Sequence, residues 1–89
     1  MNDTMRFRLR KTGVSWRELD GQIVVLDLES SKYVTVNGAG AVIWQLLVPG
    51  ASVEELVGEL IGVFDIDEAT ARADTEAFLD DLRQRKLLR

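Results

Sequence analysis

The first 36 residues contain short runs of hydrophobic residues, partly alternating with polar ones and separated by polar turns, which is the pattern of β-strands. The runs VSWREL at 14–19 and QIVVLDL at 22–28 are separated by Asp20-Gly21, a pair typical of a two-residue hairpin turn. A polar turn then leads into KYVTV at 32–36. The pattern predicts three antiparallel strands, with the second in the centre and the third at an edge.

The central strand is apolar on both sides. Ile23 and Val25 point to one face of the predicted sheet, while Val24, Leu26 and Leu28 point to the other. We therefore expect both faces of this strand to be covered.

The segment before these strands also alternates. Met5, Phe7 and Leu9 are interleaved with arginines, which predicts a short, half-buried strand whose outward arginines discourage further edge pairing. It would be a fourth strand of the sheet or, if exchanged between two copies, the basis of a homodimer. Residues 1–4 are expected to be disordered.

From residue 37 onward the hydrophobic period becomes helical. The first helix is predicted to begin after Asn37 and to end at Pro49-Gly50. The second begins at Ser52, which has the capping-box spacing with Glu55. The third is predicted to run from position 65 or 67 to about 85, and the sequence therefore predicts three helices after the sheet.

This order of elements predicts an α+β fold, similar to a small winged helix-turn-helix domain: a three-stranded antiparallel sheet, or four strands with the first segment, followed by three helices. The chain has 89 residues, of which 46% are hydrophobic, and it shows no internal repeat or linker. We expect a single domain covering residues 1–89.

Charge is unevenly distributed along the chain. The net charge is -4, and positions 52–82 contain ten acidic residues and one basic residue. Because DNA binding relies on neutralising phosphates with Lys and Arg, these acidic helices argue against a nucleic-acid partner. The basic tail, with Arg83, Arg85 and Lys86, keeps a winged-helix DNA-binding module as the alternative function.

Catalysis has little support in the composition. The chain contains no histidine and no cysteine, and so lacks the commonest general base and the best nucleophile at neutral pH. Adjacent acidic pairs such as Asp80-Asp81 do not share a helix face, so we expect no metal site and no cofactor. No segment has the roughly 20 apolar residues that span a bilayer, and no signal peptide is evident. The composition predicts a cytoplasmic binding protein without enzymatic activity or a membrane partner.

Four segments carry a family resemblance: VLD at 25–27, KYVTVNGAGAVIWQLL at 32–47, SVEELVGELIGVFDID at 52–67 and ADTEAFLDDLRQRKLL at 73–88. In this order and at this spacing they resemble the PqqD-like proteins, which recognise the precursors of ribosomally synthesised and post-translationally modified peptides (RiPPs). The resemblance extends from Val14 to Leu88. Val36 stands where the family usually has leucine, which is a conservative departure.

The resemblance implies a protein without chemistry of its own that binds the leader region of a precursor peptide. The leader would add as a strand to the edge at 32–36 and lie against the third helix. The peptide-binding residues that this implies are Lys32, Tyr33, Val34, Thr35, Val36, Asp74, Phe78, Asp81, Leu82 and Arg85.

The residues themselves leave other roles open for several of these positions. Phe78 either lines a peptide groove or packs in the core, and Tyr33 either contacts the peptide or packs on the sheet. Asp74 and Asp81 are either solvated, paired with Arg85, or in contact with the peptide.

The resemblance also implies a modifying enzyme as a partner. In this family such enzymes include radical SAM enzymes, as in pyrroloquinoline quinone (PQQ) biosynthesis, and the leader peptidase and cyclase of lasso peptide pathways. Trp44 is expected in the core, whereas Trp16 is expected to be exposed and available to an enzyme. A subunit that stabilises its enzyme without binding free leader peptide is a further alternative.

Overall fold

The computed structural model describes residues 5–89, and the expected disorder of residues 1–4 lies outside them. Three strands are followed by three helices, which confirms the predicted α+β class. The elements are β1 (Val14–Leu19), β2 (Gln22–Asp27), β3 (Lys32–Val36), α1 (Gly38–Leu47), α2 (Val53–Phe64) and α3 (Glu68–Gln84).

The sheet is antiparallel with the order β1-β2-β3, so β2 is central as predicted. Asp20 and Gly21 have φ values of 53° and 81°, the left-handed pair that a type I′ hairpin turn requires. Leu19 lies opposite Gln22, and Ile23 lies opposite Val36. The hairpin predicted from Asp-Gly is therefore confirmed.

The helices cover only one face of this sheet. Ile23 and Val25 are buried in a core that also contains Trp44 of α1 and residues of α2 and α3. On the opposite face Leu26 and Leu28 are 36% and 57% exposed. The expectation that both faces of β2 are covered is wrong, because all three helices contribute to the core on the same side.

The helix starts mostly follow the predicted capping chemistry. The Glu55 N–H donates to Ser52 Oγ at 3.2 Å while the Ser52 N–H donates to Glu55 Oε1 at 2.9 Å, which confirms the capping box. At the start of α3 the Thr70 N–H donates to the Asp67 carboxylate at 2.8 Å. Asn37 occupies the N-cap of α1 without a side-chain hydrogen bond. Among residues 5–89, no helix combines the length and apolar character needed to cross a membrane.

The N-terminal segment does not extend the sheet. Phe7 forms an isolated bridge with Ala51, and Leu9 forms one with Leu88. The Phe7 N–H donates to the Ala51 carbonyl at 2.7 Å. The predicted alternation holds only in part: Leu9 is buried, but Met5 is 72% exposed, and the Arg10 side chain is only 18% exposed. The backbone of this segment pairs with Ala51 and Leu88, which lie outside the sheet. Residues 5–89 thus contain no fourth strand of the sheet, and exchange of the segment between copies stays a prediction.

Candidate functional site

Two of the five residues of β3 direct their backbone hydrogen-bonding groups away from β2. The Leu28 N–H donates to the Gly13 carbonyl at 2.8 Å, which continues the β1–β2 ladder. Even-numbered residues of β2 therefore bond towards β1, and odd-numbered ones towards β3. In the β2–β3 register, this places the backbone groups of Tyr33 and Thr35 on the open side. The free edge offers two N–H donors and two carbonyl acceptors.

The side chains of β3 alternate between the two faces of the sheet. Val34 and Val36 lie opposite the buried Val25 and Ile23 and point towards the helices. Tyr33 points to the other face, where it is 73% exposed. Tyr33 is therefore available to a partner and does not pack in the core.

A cavity of about 300 Å³ lies between β3 and α3. Its lining is Val34, Thr35, Val36, Asn37, Gly40, Phe78, Asp81, Leu82 and Arg85. The sequence predicted a peptide groove between these two elements, and the structure brings seven of the ten predicted residues together there. Their role in peptide binding stays a prediction.

Because Gly40 has no side chain, α1 can lie close to the Val36 and Phe78 side chains that line this cavity. A Cβ atom at Gly40 would lie 2.7 Å from Val36 Cγ1 and 2.9 Å from Phe78 Cε1, both closer than real contacts allow. Phe78 is half-buried and packs against the core while its ring also lines the cavity, so it fits both roles that the sequence left open.

A second cavity, of about 440 Å³, lies further along β3, beside the turn at 28–31 that joins β2 to β3. We call this side of β3 its hairpin end. Its lining is Arg10, Val25, Asp27, Glu29, Ser30, Lys32, Tyr33, Val34, Gln84, Arg85, Lys86 and Leu87. Val34 and Arg85 line both cavities, so the two lie side by side along β3, and we call them together the β3–α3 groove.

Arg10 joins the two walls of this groove at the hairpin end. Its guanidinium donates to Asp27 Oδ1 at 2.9 Å, to the Gly13 carbonyl at 3.2 Å and to the Lys86 carbonyl at 2.9 Å. The Arg10 and Asp27 side chains are 18% and 19% exposed. The guanidinium therefore connects the β1–β2–β3 sheet to the end of α3.

Asp27 is ionised at this position for a clear physical reason. Burial raises the pKa of Asp27. Hydrogen bonds from Arg10 and from the Glu29 N–H, together with the positive charge of Arg10, lower it by a larger amount. The net result is a pKa below the usual value for aspartate.

Sequence reasoning missed Arg10, because strict alternation assigned every arginine of the first segment to the surface. One signal was present in the sequence. Asp27 ends an otherwise apolar strand, and a carboxylate in such a place needs a cationic partner.

The remaining predicted residues are placed as follows. Asp81 accepts from Arg85 at 3.1 Å, which confirms the ion pair that the sequence left as an alternative. Both side chains are about half exposed, so the pair adds little to stability. Leu82 is buried and forms the floor of the groove. Asp74 is exposed and lines neither cavity.

The groove provides groups for recognition. Its walls consist of unpaired backbone groups, apolar side chains and charged side chains. Within residues 5–89 no three acidic side chains are grouped so that they could hold a metal ion. A linear peptide that can pair with an edge strand is the class of ligand that matches this chemistry.

Three comparisons with known proteins bear on the site. A family model described as coenzyme PQQ synthesis protein D (PqqD) matches residues 22–88. The structure of TbiB1 in complex with the TbiA(beta) leader peptide is 28% identical, with a TM-score of 0.83 over 91% of this chain and 93% of that one. Lasso peptide synthetase B1 complexed with the leader peptide is also 28% identical, with a TM-score of 0.83 over 93% of this chain and 96% of that one. A search of curated proteins gives no match.

Proposed function

This chain belongs to the family of coenzyme PQQ synthesis protein D (PqqD), and from that membership we propose that it is a peptide chaperone. It binds the leader region of a ribosomally made precursor peptide and presents it to a modifying enzyme. The observation that carries the proposal is the unpaired edge of β3 beside the β3–α3 groove. Both similar structures hold a leader peptide, which supports the same kind of occupant.

The leader binds as an added strand. Its backbone pairs with the outward groups of Tyr33 and Thr35, and every second side chain enters the groove beside Val34 and Phe78. Each backbone hydrogen bond contributes a net of roughly 0.5–1.5 kcal/mol, so four bonds alone barely offset the entropy lost when the leader is ordered. Burial of apolar leader side chains in the groove supplies the rest and provides selectivity.

The charged residues orient the leader. Lys32, Asp81 and Arg85 lie at the polar parts of the groove and contact polar leader side chains. Towards its N-terminus α3 continues past Phe78 to Asp74, which contacts the leader where it leaves the groove.

The chemistry belongs to the partner enzyme. We propose that the chain is not itself an enzyme, because the groove provides only recognition groups. A lasso peptide synthetase B1 is among the similar structures, so we favour a lasso leader peptidase and cyclase over a radical SAM enzyme as the partner. Because precursors are made on ribosomes, we place the binding in the cytoplasm.

A titration tests the proposal. The probe is the fluorescein-labelled leader of the precursor encoded next to this gene, with binding followed by anisotropy and by amide-resolved NMR. We expect saturable binding with the largest shifts at Tyr33 and Thr35. Phe78→Ala should weaken binding by about tenfold, in proportion to the apolar area it removes from the groove. Phe64→Ala is the control, because it removes the same side chain from α2, where Phe64 is 38% exposed and lies outside the groove.

Other results would assign the chain differently. The absence of binding by this leader, together with salt-sensitive binding of duplex DNA, would favour the DNA-binding alternative. Binding of the enzyme without binding of the leader would indicate a stabilising subunit. Melting temperatures of both Phe variants are needed, since Phe78 also packs against the core.

A further inference from the structure

The hairpin end of the β3–α3 groove is rich in cations. Two of its arginines are already paired with carboxylates. Arg10 lies 2.9 Å from Asp27 and 3.8 Å from Glu29, and Arg85 lies 3.1 Å from Asp81. The β3–α3 groove is lined by four basic and three acidic residues, so its net charge is +1 although the chain as a whole is acidic.

Two lysines remain at this end of the groove. Lys32 is the first residue of β3, and Lys86 follows α3 on the opposite wall. Among residues 5–89, neither ammonium group has a carboxylate oxygen within 4.0 Å. Two lysines without a carboxylate partner among residues 5–89 thus line one cavity, in a chain whose net charge is -4.

The backbone holds both lysines in position. Lys32 lies opposite Asp27 in the β2–β3 ladder, on the side of the sheet that faces the helices. Lys86 has a φ of 60°, an uncommon conformation for a residue with a side chain. Its N–H donates to the Arg83 carbonyl at 3.0 Å, and its own carbonyl accepts from Arg10 at 2.9 Å. The two side chains therefore start from fixed points on opposite walls.

We propose that Lys32 and Lys86 form a subsite for an acidic side chain, Asp or Glu, of the bound leader peptide. This inference rests on the proposed function. A carboxylate between the two ammonium groups accepts charge-assisted hydrogen bonds from both walls. The acidic α2 and α3 repel a carboxylate elsewhere on the helical side of the molecule. The two lysines thereby select where along the leader an acidic residue is accepted.

The subsite also sets the register of the added strand. Side chains of a strand alternate between faces, so a slip by one residue moves the acidic side chain from the groove to the outer face of the sheet. The backbone bonds at Tyr33 and Thr35 are the same in either register, and they cannot make this choice. The lysine pair supplies the discrimination that the main chain lacks.

A peptide selection tests the subsite. Random 20-residue peptides are displayed and selected on the immobilised wild-type chain, on Lys32→Gln/Lys86→Gln and on Lys11→Gln. Lys11 is the remaining lysine of the chain and lines neither part of the groove, so it is the matched control. Wild type and the control should enrich Asp or Glu at one position, at a fixed spacing from apolar residues. The double variant should keep the apolar positions and lose the acidic one.

Synthetic peptides then give the size of the effect. Replacement of the selected Asp or Glu by its amide should weaken binding to wild type by about two- to fivefold, as expected for an exposed ion pair, and should have no effect on the double variant. The difference should shrink as salt is raised. The charge-reversed Lys32→Glu/Lys86→Glu should select Lys or Arg at the same position. Circular dichroism verifies that each variant is folded.

The outcomes separate the subsite from the function on which it rests. An acidic preference that is missing from wild type, or that persists in the double variant, overturns the subsite while apolar peptides still bind at β3. If none of the selected peptides shifts the Tyr33 and Thr35 amides, the proposed function itself fails.

Discussion

The sheet has two edges, and they differ in what lies beneath them. Under β1 the space is filled, because Trp16 packs edge-on against Trp44 of α1 with ring centroids 6.0 Å apart and an interplanar angle of 74°. Trp44 is fully buried as predicted, and Trp16 is 37% exposed. Under β3 the space remains open as the β3–α3 groove. Both edges leave backbone groups unpaired, and in the described residues those of β3 lie beside the β3–α3 groove.

The two edges also differ in charge. β1 carries Arg17 and Glu18, and the Glu18 carboxylate accepts from the Gln45 amide of α1 at 3.1 Å. The only charged residue in β3 is Lys32, at its hairpin end. Charges on an edge discourage the addition of another strand. The comparison shows that an unpaired edge strand becomes a specific binding site when its flanking side chains and the helix beneath it leave room for a peptide strand.

The largest expected effect comes from blocking each edge in turn with proline. Thr35→Pro removes an N–H that faces the open side of β3, so the hydrogen bonds between β2 and β3 are kept. The bound leader peptide loses a hydrogen-bond donor and clashes with the proline ring. Leader binding should weaken by at least about tenfold, because the steric clash with the proline ring adds to the loss of a hydrogen bond worth roughly 0.5–1.5 kcal/mol. Anisotropy titration measures the loss, and NMR verifies that the sheet is intact.

The matched control is Glu18→Pro, since the β1–β2 register places the Glu18 N–H on the open side of β1. It should leave leader binding unchanged. If the two prolines weakened binding equally, or if Thr35→Pro bound like wild type, the leader would not be using the β3 edge.

Much of this comparison could be predicted from residues alone. Asp20-Gly21 and the alternation around it identify the central strand, and the direct passage from β3 into α1 leaves β3 at an edge. Steps of three and four residues place Phe78, Asp81 and Arg85 on one stripe of α3, and the structure brings that stripe to the groove.

What could not be predicted depends on tertiary packing. Periodicity gives the direction of Leu26 but not what covers it, and no described helix lies on that side of the sheet. The period of the first segment likewise could not show that Arg10 turns inward, because that depends on Asp27 and on the Lys86 carbonyl meeting there. Asp74 has the right spacing for the stripe, yet α3 extends beyond the groove before reaching it.

The second effect concerns the floor of the groove. Gly40→Ala places a methyl group against Val36 and Phe78, and overpacking of this kind costs about 1–3 kcal/mol, part of which is offset by the better helix propensity of alanine. The melting temperature should fall, by roughly 4–8 °C per net kcal/mol, and leader binding should weaken because the Phe78 ring moves into the groove.

Gly58→Ala in α2 is the matched control, since a Cβ there meets no atom within 4 Å. It should raise the free energy of unfolding by about 0.5–1 kcal/mol without changing leader binding. A rise in melting temperature for Gly40→Ala equal to that of Gly58→Ala would show that the groove walls can separate freely.

The smallest effect concerns how each side of the sheet is tied to the helices. Glu18 of β1 accepts a hydrogen bond from the uncharged Gln45 amide of α1, whereas Asp27, at the end of β2 beside the groove, forms an ion pair with Arg10. Only the Asp27–Arg10 interaction joins two opposite charges in a partly buried setting. Its loss should therefore depend on the protonation of Asp27.

Asp27→Asn should lower the free energy of unfolding at pH 7 relative to wild type. Folding lowers the pKa of Asp27, so its contribution is present above the unfolded value of about 3.9 and disappears as the pH falls through the folded-state pKa. The difference between wild type and Asp27→Asn should accordingly be constant above about pH 5 and vanish in stronger acid, as measured by urea unfolding at each pH. Glu18→Gln, which keeps an acceptor for Gln45, should stay within about 0.5 kcal/mol of wild type at pH 7. A difference for Asp27→Asn that persisted at pH 2 would mean that the amide disturbs packing, and that the charge of Asp27 does not hold the hairpin end of the groove to α3.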